Sequence, residues 1–457
     1  MSEFDFIKKY NIQKNIDEIA ENYKDKKIVA YGAGKFSKYL FENYDFSKLN
    51  IIAIADKKFE EDKTPTFFNL NCIKPNDLKT LEYDAIIILN KDYGKFYNII
   101  RDNILKNCDC KKIEFIPLLK KTLPPELCGK ICKRPFHIAT VFQDGKAYTC
   151  CPAYLNWYSI GNVFERPFNE IWNSEKATDL RNMLINDDYS LCDLDSCIQL
   201  ELIDKQDLKK EFYNPDNTVK MPDQIYMGWD YDCNVACITC RNKLVKNAEK
   251  TLTKLNALEN SVLEACKTAK LFYTSGNGDP FGSKYSRDLI KKVVNINPEI
   301  KFFIHTNGIL CTEEICEELG IKEKITNVIF SIHGSCEDTY NKVVRFGNYN
   351  KVMKNLEWIS KLKKQGQIDK FILAFVVQKL NYKDMPDFVR LAEKFDALAS
   401  FRHYRQWANN TEYKYEDMAV FEQTHAEYEN IKAILKQDIF NSPNCSLDNL
   451  LKEIKES

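Results

Sequence analysis

The feature that most limits what this chain can be is a loop of three closely spaced cysteines. Cys233, Cys237 and Cys240 form a C-x₃-C-x₂-C pattern directly after QIYMGWDYD, which predicts a β-strand. Thiolates spaced in this way can each bind one iron of a cubane cluster, and the fourth iron then has no protein ligand. A structural zinc site takes four protein ligands, and no other Cys or His lies next to this loop in the sequence. The spacing therefore favours an iron–sulfur cluster over zinc or over three unrelated buried thiols.

The composition agrees with cluster binding in a reducing compartment. The chain has 17 cysteines in 457 residues, and its N-terminal segment MSEFDFIKKYNIQKN lacks the apolar run of a signal peptide. No segment approaches the ~20 apolar residues of a membrane span, so we expect a cytoplasmic protein without structural disulfides. The 66 basic and 66 acidic residues balance, which gives no indication of a nucleic-acid or membrane-surface partner.

The chain divides into four predicted regions. Residues 1–120 alternate strands with helices, which predicts an α/β domain with a parallel sheet. The two prolines of KKTLPPELCGK end this region, and residues 125–215 then hold two groups of cysteines around short elements. After the linker YNPDNTVKMPD, residues 222–410 repeat a strand–helix pattern, as in a full or partial α/β barrel. Residues 411–457 predict charged helices, in which we find no chemistry.

Polar residues follow the predicted strands of the third region. These strands are KLFYTSG, IKFFIHTNG, TNVIFSIHG and DKFILAFVVQ, with ALASFRHYRQW as a further candidate. In folds of this kind the chemistry lies at the carboxyl ends of the strands, so we expect it at these polar ends.

With its cysteine loop after the first of these strands, the chain resembles the radical S-adenosylmethionine (radical SAM) superfamily. The resemblance implies a partial (β/α)₆ barrel whose [4Fe–4S] cluster is bound by Cys233, Cys237 and Cys240 as catalytic and metal-binding residues. The free iron would chelate the amine and carboxylate of S-adenosylmethionine, and its cleavage would give a 5′-deoxyadenosyl radical that abstracts hydrogen from a substrate. Many members have an aromatic residue before the third cysteine, near the adenine, and Thr239 stands there in this chain.

The segment after the second barrel strand resembles a further motif of the superfamily. Asn277-Gly278-Asp279 stands in the place of the family's Gly-Gly-Glu segment. The resemblance implies that Gly278 and Asp279 bind the cofactor, with the Asp279 carboxylate accepting from its amine. The side chain of Asp is shorter than that of Glu, and an ordinary Gly-Asp-Pro turn is the alternative.

Three more positions match the family pattern at later strand ends. Asn307 closes the next strand within Thr306-Asn307-Gly308, and Ser331 closes the one after it. By resemblance, Ser331 would contact the ribose or carboxylate of the cofactor, and Arg345 matches a basic residue that often follows this strand. The alternative for Arg345 is a solvated charge on a helix.

The other grouped cysteines predict a second metal centre. An apolar strand, an Asp-Gly turn at Gly145 and a second strand form a hairpin whose open end carries Cys132 and Cys150. Cys192 and Cys197, beyond the following helix, are placed to close the site. A zinc site with four cysteine ligands also fits this spacing.

This arrangement resembles the SPASM/twitch module, an auxiliary iron–sulfur module of many radical SAM enzymes. The C-x₁₂-G-x₄-C spacing and the phrase IGNVFERPFNEIWNSEKATDLR carry the resemblance. A full module has more cysteines in its second half, so we expect one auxiliary cluster, with Cys132, Cys150, Cys192 and Cys197 as ligands. Cys128 and Cys151 are competing candidates.

The first region contains a glycine turn between a strand and a helix. Gly32 and Gly34 suit the close approach of a phosphate at the helix N-terminus, and Asp56 ends the next strand, near where a ribose-binding acid is expected. Ser37 replaces the third glycine of a dinucleotide motif, and the region is short for a complete Rossmann domain. It resembles small nucleotide- or sugar-nucleotide-binding domains, and the alternative is a scaffold with an empty turn.

These patterns together predict a radical SAM enzyme with two candidate substrate classes. The glycine turn favours a nucleotide-linked sugar or a cell-surface glycan, which we prefer, whereas the SPASM-like module favours a peptide or protein. A reductase or a flavodoxin- or ferredoxin-type protein would supply electrons. The non-enzymatic alternative is a zinc-bound binding protein on a Rossmann-like scaffold.

Overall fold

The computed structural model of the chain describes residues 10–61, 66–90, 93–105, 113–194, 197, 200–274, 277–407 and 410–457. Cys108, Cys110 and the start of the Gly-Gly-Glu-like segment at 275–276 lie outside the described residues. The strands, in chain order, are β1 Ile28–Tyr31, β2 Ile51–Ala55, β3 Cys72–Ile73, β4 Ala85–Ile88, β5 Glu114–Pro117, β6 Lys130–Cys132, β7 Ile138–Phe142, β8 Lys146–Tyr148, β9 Gly161–Asn162, β10 Leu202–Asp204, β11 Gln224–Gly228, β12 Ala236–Cys237, β13 Leu271–Thr274, β14 Lys301–Thr306, β15 Ile325–Ser331, β16 Val344–Arg345, β17 Lys370–Val377, β18 Leu398–His403 and β19 Cys445–Leu447.

The α-helices are mostly short, and the longest belong to the second half of the chain. They are α1 Ile12–Asn22, α2 Lys35–Asn43, α3 Tyr93–Asn98, α4 Arg134–His137, α5 Phe168–Trp172, α6 Glu175–Ile185, α7 Lys205–Phe212, α8 Glu249–Cys266, α9 Lys284–Ile296, α10 Glu313–Glu318, α11 Glu337–Val343, α12 Tyr349–Lys364, α13 Met385–Lys394, α14 Tyr415–Met418, α15 Tyr428–Leu435 and α16 Asn449–Glu456. No helix among the described residues is long and apolar enough to cross a membrane.

Two compact units make up the fold. The first unit comprises residues 1–133, 150–159 and 178–208, and the second comprises 134–149, 160–177 and 209–457. The boundary between the units divides residues 125–215, which the sequence predicts as one cysteine-rich module. The β7–β8 hairpin of this module belongs to the second unit.

The first unit contains a five-stranded parallel sheet in the order β3-β2-β1-β4-β5. Strands β1 and β4 read IVAY and AIII and are buried throughout, as expected for parallel strands whose two faces are covered. The predicted parallel sheet is confirmed. Its strand order reverses between β1 and β4, and the glycine turn lies at the carboxyl end of β1, where ligands bind in open α/β sheets.

The second unit is built on a ten-stranded sheet. The strands β11, β13, β14, β15, β17, β18 and β19 run parallel in that order, and β7 continues the sheet beyond β11. The α/β class with repeated strands and helices is therefore confirmed for this unit. Strand β19, in the segment 411–457 predicted as helical, is an unpredicted addition to the sheet.

The predicted hairpin forms, and its position is unexpected. Strands β7 and β8 pair antiparallel, with Thr140 opposite Tyr148, while β7 also pairs parallel with β11 along its full length. The segment between Cys132 and Cys150 is therefore part of the same sheet that carries the three-cysteine loop.

Aromatic side chains fix helix α13 on one face of the large sheet. The ring of Phe388 lies 4.7 Å from Phe375 and 5.7 Å from Phe401, centroid to centroid. Phe330 and Phe371 also contact each other, at 5.8 Å, on this face. Because side chains alternate along a strand, the residues between these phenylalanines point to the opposite face.

The substitution Phe388→Ala should lower the free energy of unfolding by about 3–5 kcal/mol, because the ring is fully buried and its removal leaves a cavity. Urea unfolding measures the change. The matched variant Phe346→Ala removes a ring that is 67% exposed and should change stability by about 0.5 kcal/mol or less. Equal losses for the two variants would contradict the described packing.

Candidate active site

The three-cysteine loop follows β11 and is joined by a short antiparallel pair to the segment after α11. Strand β12 pairs with β16, which places Cys237 opposite Val344. Cys233 is buried, and Cys237 and Cys240 are partly buried. A loop fixed at both of its flanks holds its thiols in one region, as cluster binding requires.

The three thiols of the loop lie close enough to affect one another. Burial raises the pKa of the Cys237 thiol, and the thiols of Cys233 and Cys240 raise it further. Burial also raises the pKa of Cys233 to about 11, with contributions from Asp279 and Cys240. Neutral thiols are thus favoured until a cation compensates for the charge of the thiolates, which is what iron does on binding.

A single metal ion and a cubane cluster place their protein ligands differently. Among the described residues, no three His, Cys, Asp or Glu side chains surround one point closely enough to bind one metal ion. In a cubane each thiolate binds a different iron, so its ligand sulfurs are farther apart than the ligands of one zinc.

Arg241 makes three hydrogen bonds around the cysteine loop. Its Nε donates to Cys240 Sγ at 3.3 Å, and its Nη1 donates to the backbone oxygen of Tyr231 at 2.8 Å. Its Nη2 donates to the backbone oxygen of Asn277. The buried guanidinium thus joins the loop to the segment after β13, and it is a site residue that the sequence analysis missed. Its place directly after Cys240 was the available signal, since a cation beside thiolates stabilises them.

Asp279 does not have the role that the resemblance implied. Its Oδ1 accepts from the amides of Phe281 and Gly282, both at 3.0 Å. Its Oδ2 accepts from the Thr306 hydroxyl at 2.6 Å and the Asn307 amide at 2.8 Å. All four lone-pair positions of this buried carboxylate are used within the chain, so the expectation that it accepts from a cofactor amine is corrected.

Gly278 and Asn307 border the cysteine loop. A Cβ on Gly278 would overlap the carbonyl oxygen of Asp232, so this position admits only glycine where the two backbones meet. Asn307 donates from Nδ2 to Asn234 Oδ1 at 2.8 Å, and the same nitrogen lies 4.0 Å from Cys233 Sγ. The structure therefore brings both predicted residues to the cysteines.

Arg345 is engaged within the chain, which corrects its expected role at the cofactor. Its Nη2 pairs with Glu412 Oε2 at 2.8 Å, and its Nη1 donates to the Asn242 backbone oxygen at 3.1 Å. Its backbone pairs with Ala236 beside Cys237. Arg345 thus holds the cysteine loop in place, and a solvated charge on a helix is also ruled out because the residue lies in β16.

Ser331 ends β15 and bonds to a histidine that the sequence analysis passed over. Its Oγ lies 3.0 Å from His305 Nε2, and His305 Nδ1 lies 3.3 Å from the Tyr273 hydroxyl. Burial lowers the pKa of His305 to about 4, so the imidazole is neutral near pH 7. The signal in the sequence was the position of His305 two residues before Asn307 on the same predicted strand.

In the first unit the four expected auxiliary cysteines come together. Burial raises the pKa of the Cys192 thiol well above its usual value, and the thiols of Cys150, Cys132 and Cys197 raise it further. Cys132 and Cys150 are buried, whereas Cys192 and Cys197 are partly buried. Of the competing candidates, Cys128 is exposed and Cys151 is partly buried.

A buried tyrosine supports this cysteine group. The Tyr189 hydroxyl accepts from the Cys132 amide at 3.1 Å, and the Tyr189 backbone oxygen accepts from the Cys192 amide at 2.8 Å. Tyr189 therefore links the cysteine at the end of β6 to the cysteine after α6, two positions that are 60 residues apart in the sequence.

At the N-terminal glycine turn, Asp56 accepts hydrogen bonds from two backbone amides. Its Oδ2 accepts from the Ala33 amide of the turn at 2.5 Å, and its Oδ1 accepts from the Lys58 amide at 2.9 Å. Gly32 has a φ of +103°, and the helix capped by Gly34 has no side-chain cap. Asp56 thus braces the turn through two hydrogen bonds within the chain, and its expected ribose contact stays a prediction.

Comparisons with known proteins agree with the two cysteine sites. Residues 231–392 match the Radical SAM superfamily, and residues 132–198 match SPASM, an iron–sulfur cluster-binding domain. Residues 24–115 match a domain described as C2185-like, N-terminal. The radical SAM match begins just before the three-cysteine loop, and the SPASM match spans Cys132 to Cys197.

A curated relative covers part of the chain. GTP 3′,8-cyclase of Clostridium botulinum (strain Okra / Type B1) is 27% identical over 173 residues, which are 37% of this chain and 52% of the relative. The chain thus matches about half the length of this relative.

Three solved structures have limited similarity. Archaeal TYW1 has a TM-score of 0.25 and 18% identity over 42% of this chain and 65% of that chain. BtrN in complex with AdoMet and 2-DOIA has a TM-score of 0.19 and 21% identity over 24% and 46%, respectively. The cobalamin-dependent S-adenosylmethionine radical enzyme OxsB has a TM-score of 0.28 and 12% identity over 96% and 57%. We base no argument on similarities at this level.

The matched domains imply the cofactors. A radical SAM domain implies a [4Fe–4S] cluster and S-adenosylmethionine, and a SPASM domain implies auxiliary iron–sulfur binding. The chain thus contains a stretch that matches radical SAM domains, preceded by a stretch that matches the iron–sulfur cluster-binding SPASM domain.

Proposed function

We propose that this enzyme cleaves S-adenosylmethionine reductively at a [4Fe–4S] cluster bound by Cys233, Cys237 and Cys240, and that the product radical abstracts hydrogen from a substrate. The single observation that carries the proposal is the closeness of these three thiols, of which Cys233 and Cys240 raise the pKa of Cys237. All three lie within the residues that match the radical SAM superfamily. When bound, the cluster would supply one electron for cleavage of the sulfur–C5′ bond of the cofactor. The products would be methionine and a 5′-deoxyadenosyl radical.

The residues around the loop position the three thiols. Arg241 joins the loop to the segment after β13, and Gly278 allows the two backbones to touch. Arg345 holds the far side of the loop through Asn242. We assign cofactor contacts to Gly278, Asn307 and Ser331, and we assign Asp279 to the support of the loop's surroundings.

We further propose one auxiliary cluster on Cys132, Cys150, Cys192 and Cys197. The thiols of Cys132, Cys150 and Cys197 act on that of Cys192 within the residues that match the SPASM iron–sulfur domain, which favours a cluster over zinc. A flavodoxin- or ferredoxin-type protein is the electron donor that this chemistry calls for. The non-catalytic zinc protein is disfavoured on the same grounds.

Two substrate classes are supported by different observations. We prefer a sugar, as a nucleotide-linked sugar or a glycan, because a glycine turn opens a helix where the strand order of the five-stranded sheet reverses. A peptide or protein is the second candidate, and the SPASM domain favours it.

Anaerobic purification should give a brown protein with about eight irons per chain, in two cubanes. Cys237→Ala should remove about four irons and abolish 5′-deoxyadenosine formation from S-adenosylmethionine with dithionite, because the catalytic cluster loses a ligand. Iron analysis and chromatography of the nucleoside measure both effects. Cys266→Ala, which alters a buried thiol of α8 outside both sites, is the control and should retain both. A colourless protein with zinc would refute the proposal.

Arg241→Gln should shift the midpoint potential of the catalytic cluster to more negative values, on the order of 50 mV. A charge-assisted hydrogen bond to a ligand sulfur favours the reduced, more negative cluster, and ~59 mV corresponds to a tenfold one-electron equilibrium. Redox titration followed by electron paramagnetic resonance measures the shift.

Lys246→Gln is the matched control for Arg241. Lys246 is a cation on the same loop, and it pairs with Asp232 Oδ1 at 2.7 Å rather than with a cysteine. An equal shift in the two variants would show that general charge, and not the contact with Cys240, sets the potential.

Cys192→Ala should remove about four irons and leave the substrate-free cleavage of S-adenosylmethionine within about twofold, because the catalytic cluster is untouched. Cys128→Ala should retain all the iron, since Cys128 is exposed. If the Cys128 variant lost iron and the Cys192 variant did not, Cys128 rather than Cys192 would be the ligand.

A further inference from the structure

Arg402 is a partly buried cation near the carboxyl end of β18. Its guanidinium makes no hydrogen bond or ion pair with any residue that the structure describes. The neighbouring Phe401 packs on Phe375 and Phe388, on the side of helix α13. Because side chains alternate along a strand, Arg402 points to the opposite face of the sheet. A cation in this position has lost hydration without gaining a negative partner, which an anionic ligand can supply.

His333 offers a second unused donor, directly beyond the end of a nearby strand. Its Nδ1 accepts from the Val376 amide at 3.1 Å, so the neutral ring carries its proton on Nε2. Burial lowers the pKa of His333 to about 4, with a contribution from His305, and the ring is therefore neutral near pH 7. His333 is only 6% exposed, and Nε2 has no hydrogen-bond partner among the described residues. A buried N–H group without an acceptor is costly unless a ligand provides one.

The two donors flank the same residue of β17. Val376 is in register with Arg402 on one side, and its amide bonds to His333 on the other. Only the width of β17 separates the two backbones, which is roughly 10 Å or two interstrand spacings. A ligand group that lies over Val376 can therefore accept from both side chains. We call Arg402 and His333 the donor pair.

The donor pair belongs to the same end of the sheet as the three-cysteine loop. The segment after β18 bonds to this loop, since Asn410 Nδ2 donates to the backbone oxygen of Ile238, between the second and third cysteines. The Thr411 amide also donates to Asn242 Oδ1 at 3.2 Å. A ligand bound at the carboxyl end of β18 is thus held at the side of the sheet where the catalytic cluster is proposed.

This face of the sheet carries basic side chains and no acidic ones within its strands. The strands β11, β13, β14, β15, β17 and β18 contain neither Asp nor Glu. The basic side chains on this face are Lys301, Lys370 and Arg402 of the strands and Arg134, which lies over the ring of Tyr226. Four acidic side chains in the loops after these strands accept hydrogen bonds within the chain, and they are Asp230, Asp232, Asp279 and Asp384. The charges on this face therefore favour an anion.

A phosphate group suits the donor pair better than the other common ligand groups. A guanidinium can donate two parallel hydrogen bonds to two oxygens of a carboxylate or a phosphate. A phosphate has a third oxygen that remains for His333 Nε2, whereas a carboxylate has only the two. A neutral hydroxyl group would leave the charge of Arg402 without compensation.

We propose that Arg402 and His333 bind a phosphate group of the substrate, and that the substrate is a small phosphorylated molecule such as a nucleotide-linked sugar. This inference rests on the proposed radical SAM function and gives it a substrate class. The guanidinium would donate to two phosphate oxygens and His333 Nε2 to another. The rest of the substrate would then lie over the face of the sheet opposite to α13.

The test uses the reconstituted full-length enzyme with S-adenosylmethionine, under anaerobic conditions. The probes are inorganic pyrophosphate and uridine 5′-diphosphate, compared with the peptide acetyl-Gly-Glu-Gly-amide, and isothermal titration calorimetry measures their affinities. We expect both phosphates to bind more tightly than the peptide. Arg402→Gln should weaken both by about tenfold or more, because it removes the charge and the two parallel donors.

His333→Asn should weaken both phosphates by about threefold or more, because it removes the Nε2 donor. Asparagine keeps an acceptor for the Val376 amide and tolerates the φ of +64° at this position, so the variant tests binding rather than folding. Thermal melting of each variant checks this. The matched control is Arg405→Gln, which removes an exposed cation of the same segment whose Nε donates to His403 Nε2 at 3.4 Å, and it should change affinity by less than about twofold.

Several results would overturn the inference. They are the absence of phosphate binding to the wild type, unchanged affinity in both donor-pair variants, an equal loss in the Arg405 variant, and tighter binding of the peptide. A matching loss of affinity for S-adenosylmethionine in Arg402→Gln would assign this arginine to the cofactor instead. Substrate-free formation of 5′-deoxyadenosine by the wild-type preparation reports on the proposed function separately, since phosphate binding does not depend on it.

Discussion

The geometry of the catalytic region depends on one buried carboxylate. Asp279 accepts four hydrogen bonds, from the turn that begins α9 and from the end of β14, while its amide donates to Asp232 of the cysteine loop at 2.8 Å. An ionised group removed from water is stable only when its acceptors are used, so the segments that supply these donors are fixed together. Removing the carboxylate would release the turn before α9 and the end of β14 from each other.

Much of this region could be predicted from the sequence, because its signals are local. The C-x₃-C-x₂-C loop and the alternation of strands and helices depend on neighbouring residues, and the parallel sheets follow from them. The roles of Asp279, Arg345 and Asp56 could not be predicted in this way. Each of these side chains has partners that are distant in sequence, such as Thr306 for Asp279 and Glu412 for Arg345, and only the fold shows that they are engaged.

Both cysteine groups contain buried thiols whose negative charge must be compensated, and the residues beside the two groups differ. Buried thiols resist ionisation, as the raised pKa values of Cys237 and Cys192 show, and iron must provide the compensating charge. The catalytic loop adds a permanent cation, Arg241, in direct contact with Cys240. The other group has a neutral neighbour in Tyr189, whose hydroxyl contacts the backbone of Cys132. A difference of this kind would separate the reduction potentials of the two clusters.

The path of the backbone has a consequence for how this protein can be divided. The chain passes from one compact unit to the other after residues Lys133, Thr149, Ser159, Ala177 and Leu208. Each unit is built from three separate stretches, so no single cut separates one complete unit from the other. Transfer of either unit to another protein therefore requires several junctions rather than one fusion point.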